Sequence, residues 1–346
     1  MNDKLPLVSI IILNYNAGDL IQKCINSIIN SNYASFEIIL VDNNSQDNSH
    51  KICKEKFPQI ILVENKSNLG YCEGNNVGIR LANGEFIVIL NPDTIVEKEW
   101  INYLLDAYQQ KGDGLYQPKL LAMEDKKRIN TMGNMINLFG FGYSSQKGLD
   151  DLSTTLEIQE IGYASGACLF TSKKILDQIG YFDSFLFAYH DDLDIGWRAM
   201  QQKIKSFLVP KSIVYHAESF SFKWSKKKFY LLERNRWYCL LTHYSKKTYY
   251  KILPSLIIIE FFMIFYYLSK GMIKEKILGY KDLIQNRKLI HAKFLELEEK
   301  KIIVDSELIK SFKDIIETPK QVSGEVQSQL FNKILKNLAR LSRCII

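Results

Sequence analysis

The stretch GEFIVILNPDT, Gly84–Thr94, decides how the chain folds. Phe86 to Leu90 are apolar without polar alternation, so the strand they form must be covered on both faces. The run then stops on an amide, a proline and a carboxylate: Asn91, Pro92 and Asp93. Working outward, LVSIIILN (Leu7–Asn14), FEIILVD (Phe36–Asp42) and QIILVE (Gln59–Glu64) repeat the apolar pattern. Between these runs Asp19–Asn30, Asp47–Phe57 and Glu73–Asn83 carry helical spacing, and Gly84 stands where the last helix would stop. The series predicts an α/β fold with a doubly wound, mostly parallel sheet flanked by helices.

In such sheets ligands bind outside the carboxyl ends of the strands. Each run here delivers polar groups to that edge: Asn14 and Asn16, then Asp42, Asn43 and Asn44, then Asn91 and Asp93. Such residues commonly build caps and turns, but their convergence from three strands favours a site. NYNAGDL (Asn14–Leu20) is neither GxGxxG nor a P-loop, which disfavours a dinucleotide oxidoreductase and a P-loop NTPase. Asp42 offers an acceptor for a base N–H or a ribose hydroxyl, and Asp93 a hard oxygen ligand for a divalent metal. The six cysteines show no CxxC spacing, so reduced thiols are expected. Met1–Pro6 is short and polar, unlike a signal peptide, and places the bulk of the chain in the cytoplasm.

VSIIILNYN, EIILVDNNSQDNS, NLGYCEGNNVGI and VILNPDT resemble successive signature segments of inverting family 2 glycosyltransferases with the GT-A fold. The similarity is nearest the rhamnosyltransferase-like branch. It continues through YASGACLF (Tyr163–Phe170), IGYFDSFLFAYHDDLDIGWR (Ile179–Arg198) and IVYHAES (Ile213–Ser219). The resemblance implies that Asn91-Pro92-Asp93 stands for a DxD motif, with Asp93 the retained ligand of Mn²⁺ or Mg²⁺ and His216 a further ligand. Asn91 keeps an amide able to bond a ribose hydroxyl. Asn68, Gly70, Asn75 and Asn76 match the segment that approaches the nucleotide or sugar, Gly70 for its backbone geometry. Of the acids after His190, Asp192 is implied as general base, with Asp191 beside it; Asp194 and Arg198 are spaced for a helix salt bridge. Arg80 pairs with the diphosphate or faces solvent, and Asp183 is an acceptor-side or turn residue.

The last third changes character. Lys223–Lys251 is basic and aromatic, and Ile252–Ser269 is an apolar run holding Glu260, with lysines on both flanks. No nucleic-acid motif accompanies it. Two basic flanks favour a helix lying in or re-entering the cytoplasmic leaflet over one that spans it. From Val326 to Ile345 apolar residues share one helical face opposite Lys333, Lys336, Arg340 and Arg343, which suits an anionic membrane surface or a homo-oligomer.

The organisation expected is a catalytic domain over residues 1–222, with a nucleotide half to about 95 and an acceptor half to 222. A membrane-associating region over 223–300 and a helical tail over 301–346 follow. The expected activity is metal-assisted transfer of a sugar, with dTDP-rhamnose favoured as donor, to a hydroxyl of a lipid-linked or growing cell-surface glycan. Its setting is the cytoplasmic side of the membrane. The rival readings are a non-catalytic nucleotide- or glycan-binding scaffold and a sugar nucleotidyltransferase.

Overall fold

The computed structural model describes residues 5–152, 155–217, 225–317 and 329–346. Lys223, Ser219 and Val326, used above, lie outside the described residues. The chain runs β1 (Val8–Asn14), α1 (Leu20–Ile29), β2 (Phe36–Asp42), α2 (Ser49–Lys56), β3 (Ile61–Glu64), α3 (Gly70–Leu81) and β4 (Phe86–Leu90). It continues through β5 (Thr94–Val96), α4 (Trp100–Lys111), β6 (Gly114–Ala122), β7 (Ile129–Thr131), β8 (Asn134–Ile136), β9 (Gly142–Ser144) and β10 (Gln159–Ile161). Then come β11 (Cys168–Ser172), α5 (Lys173–Ile179), α6 (Asp191–Gln201) and β12 (Lys205–His216).

The main sheet has the order β10-β12-β6-β11-β4-β1-β2-β3. Its N-terminal side is parallel as expected: β1 pairs β2 and β4, and β2 pairs β3, all parallel. The other side is mixed, because β11 enters antiparallel between β4 and β6. Successive side chains of β1 and β4 point to opposite faces. Val8, Ile10, Ile12, Phe86, Val88 and Leu90 join a core with α1 and α4, while Ile11, Leu13, Ile87 and Ile89 join a second core on the other face. Two buried faces are why these strands carry no polar alternation.

That second core does not end at residue 222. Helices α7 (Lys226–His243), α8 (Lys246–Ser269), α9 (Ile273–Gln285), α10 (Arg287–Lys300), α11 (Asp305–Leu308) and α12 (Gln329–Ile345) follow. Tyr238, Ile252, Leu256, Leu335 and Leu338 lie in the same buried cluster as Ile11 and Trp197. Two expectations are corrected by this packing. The basic-aromatic segment is largely internal: Arg236, Tyr238 and Tyr244 are buried. Part of the tail's apolar stripe is also used inside the molecule, since Leu335, Leu338 and Ala339 are buried and Ser342 Oγ meets Ser255 Oγ of α8 at 3.0 Å, while Leu330, Leu341 and Ile345 stay exposed. An amphipathic helix needs an apolar partner, and here α8 supplies it.

Candidate active site

A cavity of about 410 Å³ opens at the carboxyl edge of β4 and β1, between that edge and the start of α6. Asn68, Gly70, Asn91, Asp93, Asp191, Asp192 and His216 all line it, so residues far apart in sequence converge there. Tyr15 and Asn43 reach it from the loops after β1 and β2.

Asn14, Asn16, Asp42, Asn44 and Asn75, expected as donor contacts, are not among the residues lining it. Asn14 and Asp42 are buried and bonded to each other, Asn14 Nδ2 donating to Asp42 Oδ1 at 2.8 Å. Asn14 also donates to Ser45 and Ser49, and Asp42 Oδ2 accepts from the Ser45 N–H at 2.9 Å. Asn16, at φ 54°, accepts from the Gln46 N–H, and Asn44, at φ 65°, is exposed in the same turn. Their chemistry is spent on building the loop, the ordinary use of Asn and Asp at strand ends. Asn75 donates back to Tyr71 O of its own helix, and its Oδ1 is buried without a hydrogen-bond partner.

The metal corner is formed by two strand ends. Antiparallel pairing of β12 with β5 sets His216 opposite Thr94 and brings His216 Nε2 to 3.3 Å from Asp93 Oδ1 and 3.4 Å from Asn91 Nδ2. The other ring nitrogen, Nδ1, sits 3.3 Å from Asn130 Oδ1. A proton on Nδ1 donated to that oxygen leaves Nε2 with its lone pair toward Asp93, the tautomer a metal ligand requires. A carboxylate oxygen and an imidazole nitrogen facing one point fit a hard or borderline divalent cation.

The acid pair stands on strained backbone. Phe187, Tyr189 and His190 all have positive φ (63°, 67° and 60°), each costing on the order of 1 kcal/mol or more for a side-chain-bearing residue. Buried groups of α7 hold the segment there. Asn235 donates to the carbonyls of Leu186, Ala188 and Tyr189 (3.0, 2.9 and 2.7 Å), and Arg234 to those of Phe185 and Leu186 (2.7 and 2.9 Å). Sequence reading missed both residues, because their partners lie nearly fifty positions away. His190, which caps α6, is not a base: burial, then Arg236, pushes its imidazole down to about 4, so it is neutral.

Asp191 and Asp192 differ in electrostatic surroundings. Burial and then the Asp192 charge raise the Asp191 carboxyl well above the ordinary carboxylate range. Burial also lifts Asp192, to about 6, but its oxygens accept from the Gly166 N–H (3.2 Å) and Leu193 N–H (2.9 Å), which favour the anion. Of the two, Asp192 is therefore the more readily ionised. Opposing cations border the same cavity: Lys147, whose ammonium is pushed down to about 8 by burial and then by Lys228, and Lys228 itself. Neither was singled out from sequence as a site residue; Lys228 was absorbed into the basic run and Lys147 carries no local motif.

Gly70 is the backbone hinge of this wall. At φ 80° a Cβ there would lie 2.5 Å from the Phe187 ring and 2.6 Å from Phe187 O, the carbonyl that accepts from the Tyr71 and Cys72 N–H groups. Gly70→Ala is expected to destabilise the fold by at least about 1 kcal/mol and to lower turnover by displacing Phe187. Urea melts and steady-state rates on the purified variant check both.

Three other residues prove structural. Asp194 is fully buried between Arg198 (2.7 Å) and His243 (2.8 Å). It forms with Cys239 and His243 the one cluster of three metal-type ligands found among the described residues, but Arg198 and His243 already occupy its carboxylate. Arg80 pairs with Glu73 at 2.6 Å away from the cavity, and Asp183 accepts from the Phe185 N–H and the Tyr238 hydroxyl, a turn role.

Residues 9–180 match the family model described as Glycosyl transferase family 2. The chain is 28% identical over 204 residues to the low-salt glycan biosynthesis hexosyltransferase Agl10 of Haloferax volcanii. That match covers 57% of this chain and 62% of the relative, less than two thirds of its length. Among solved structures the fold is similar to GalNAc-T7 crystallised with UDP, GalNAc and Mn²⁺, at TM-score 0.59 and 15% identity over 74% of this chain and 52% of that one. It is also similar to S. aureus TarS 1–349 in complex with UDP-GlcNAc, at TM-score 0.51 and 16% identity over 98% and 88% of the two chains. At these identities the likeness is one of fold, the GT-A fold.

Proposed function

We propose, from a chain whose residues 9–180 form a glycosyl transferase family 2 domain, that it transfers a sugar with inversion from a nucleoside diphosphate donor to a hydroxyl acceptor. The observation that carries this reading is the pair of corners in one cavity: Asp93 with His216, and Asp191 with Asp192, whose Oδ2 accepts from the Gly166 N–H.

Tyr15, Asn43 and Asn68 border the side of the cavity nearest β1 and β2, where the nucleoside is held. Asp93 and His216 are the residues that would hold a divalent cation, which would supply stabilisation of negative charge on a diphosphate leaving group. Lys147 and Lys228 add positive potential to the same space. The acceptor hydroxyl gives its proton to Asp192 as its oxygen attacks C1 of the sugar and the C1–O bond to the diphosphate breaks. Among the described residues the lining carboxylates are Asp93, Asp191 and Asp192, the first at the proposed metal corner, while burial and the Asp192 charge disfavour ionisation of the second. That set supports single displacement, since retention through a covalent sugar needs a second ionised carboxylate as nucleophile.

Because Asp192 works as its anion, the rate is expected to be low in acid, to rise as pH increases through about 6, and to level off above. A pH profile of kcat at saturating donor checks the sign. A rate that fell over that range would make the carboxyl an acid instead.

The acceptor proposed is a lipid-linked or growing cell-surface glycan at the cytoplasmic face. The relative from Haloferax volcanii, named for glycan biosynthesis, supports a glycan as acceptor. For the donor, the Asn91-Pro92-Asp93 triplet favours dTDP-rhamnose, and the solved neighbour carrying UDP-GlcNAc makes that compound the second candidate. The test is nucleoside diphosphate release from a donor panel with Mn²⁺ or Mg²⁺ and detergent-extracted membrane lipids. Release from one donor, abolished by chelation and by omitting the lipids, is expected. Donor binding without release, unaltered by Asp192→Asn, would favour a scaffold, and pyrophosphate release from nucleoside triphosphate and sugar phosphate a nucleotidyltransferase.

A further inference from the structure

Helix α8 is long and apolar enough to cross a membrane, yet its one acid shows which way it faces. Glu260 accepts from Arg236 (2.9 Å) and Trp237 (3.0 Å) of α7 and is paired with Lys276 of α9. Glu233 of α7 joins the same cluster, 2.8 Å from Arg236 and 2.6 Å from Lys276. Drawing α8 out as a separate span would strip Glu260 of both cations in hydrocarbon, where an unpaired charge is costly. The helix therefore stays attached by this face.

Its remaining surface is not covered. Ile257, Ile258, Phe261, Ile264, Phe265 and Leu268 are all exposed, Ile257 at 62% and Phe261 at 59%. They recur at i, i+1, i+4, i+7, i+8 and i+11, one side of a helix. Helix α9 continues the theme with exposed Ile277, Leu278 and Ile284, set among exposed Lys274 and Lys281. Tyr230 and Arg234 hold α9 through Asp282 (2.7 and 3.1 Å), and the same helix α7 lends Lys228 and Leu232 to the cavity.

The charge around this stripe selects its partner. From residue 246 to 288 there are nine Lys or Arg and three acids. Glu260 and Asp282 are taken by the pairs just described, and Glu275 is buried. Exposed Lys246, Lys247, Lys274, Lys281, Arg287 and Lys288 are left as a cationic surround. A second copy across a two-fold axis would bring these charges against their own equivalents. An anionic lipid surface complements both the charge and the apolar stripe.

We infer that the exposed face of α8 and α9 docks in the plane of an anionic bilayer, apolar side chains in the headgroup–acyl boundary and lysines among the headgroups. This deepens the lipid-linked acceptor reading, because α7 joins the docked helices to the cavity. The tail helix α12 packs on α8 through buried Leu335, Leu338 and Ala339, which leaves less of its apolar face for a membrane.

The test is co-sedimentation of the full chain with vesicles of phosphatidylcholine alone or mixed with phosphatidylglycerol. Binding only to the mixed vesicles, weakened by salt, is expected. Phe261→Ser with Phe265→Ser should weaken it at least tenfold, and Lys274→Glu with Lys281→Glu should weaken it and flatten the salt dependence. Wild type that stays in the supernatant, or variants that both bind as wild type does, would overturn the inference. So would a dimer by sedimentation velocity that the phenylalanine variant dissociates. Vesicle binding is read without donor or acceptor, so failure of the transferase reading leaves this result standing, and the reverse holds for nucleoside diphosphate release.

Discussion

Asp192→Asn is expected to lower kcat by roughly two to four orders of magnitude, the range a positioned general base contributes, with donor binding and stability nearly unchanged. The amide keeps the shape of the carboxylate, and its one oxygen still accepts from either the Gly166 or the Leu193 N–H, which the native carboxylate accepts on different oxygens. What it loses is the ability to take a proton. Asp192 spends its native energy poorly as a structural group: burial raises its carboxyl, so its charge is held at a cost at neutral pH. Neutralising it therefore removes function without removing a stabilising pair. Stopped or steady-state turnover beside calorimetric donor binding measures the two quantities separately. Equal loss of binding and turnover would assign Asp192 to the donor instead.

Asp194→Asn, two positions on, is expected to do the opposite. It should destabilise the fold by about 3–5 kcal/mol, the usual cost of leaving a buried ion without its partner. Asp194 accepts from Arg198 at 2.7 and 3.0 Å and lies 2.8 Å from His243, and Arg198 itself is almost wholly buried. Arg198 and then His243 hold the Asp194 carboxyl well below its ordinary range, despite burial. A depressed value means the stabilisation is fully present above the unfolded carboxylate pKa, near 4, and is lost as pH falls through the folded value. Urea melts at neutral pH give the stability change, and folded variant should retain most of its kcat. A variant as stable as wild type would mean that Arg198 finds its compensation in the carbonyls of Ile179, Gly180 and Tyr181 alone.

These two acids show what a sequence reports and what it leaves out. The nucleotide side of the sheet was legible because β1, β2 and β4 are buried on both faces, and burial writes itself into every residue. The joint placement of Asp93, His216 and Asp192 was legible because the topology of an α/β sheet fixes where strand ends point. The split between Asn43, which reaches the cavity, and Asp42, which does not, was not legible. Asn and Asp at a strand end look alike whether a ligand or a neighbouring Ser satisfies them, and here Ser45 and Asn14 do.

The helical third failed for a related reason. An apolar stripe says that a face is buried, but not against what. In α12 the partner is α8, so a pattern that suits a membrane closes the protein's own core instead. The lysines and arginines of α7 were read as surface charge, whereas Arg236 is bound by Glu233 and Glu260 from two helices. Pairings at separations of 24 and 43 residues, as in Arg236–Glu260 and Lys276–Glu233, leave no local periodicity to detect.

The central claim is that one ionised carboxylate, Asp192, drives a single displacement. The measurement that tests it most directly is the anomeric configuration of the first product, read by NMR coupling constants on sugar transferred from a donor of known configuration. The account predicts an inverted anomer. A retained anomer would contradict it, because retention requires a covalent or front-face route instead of a single displacement.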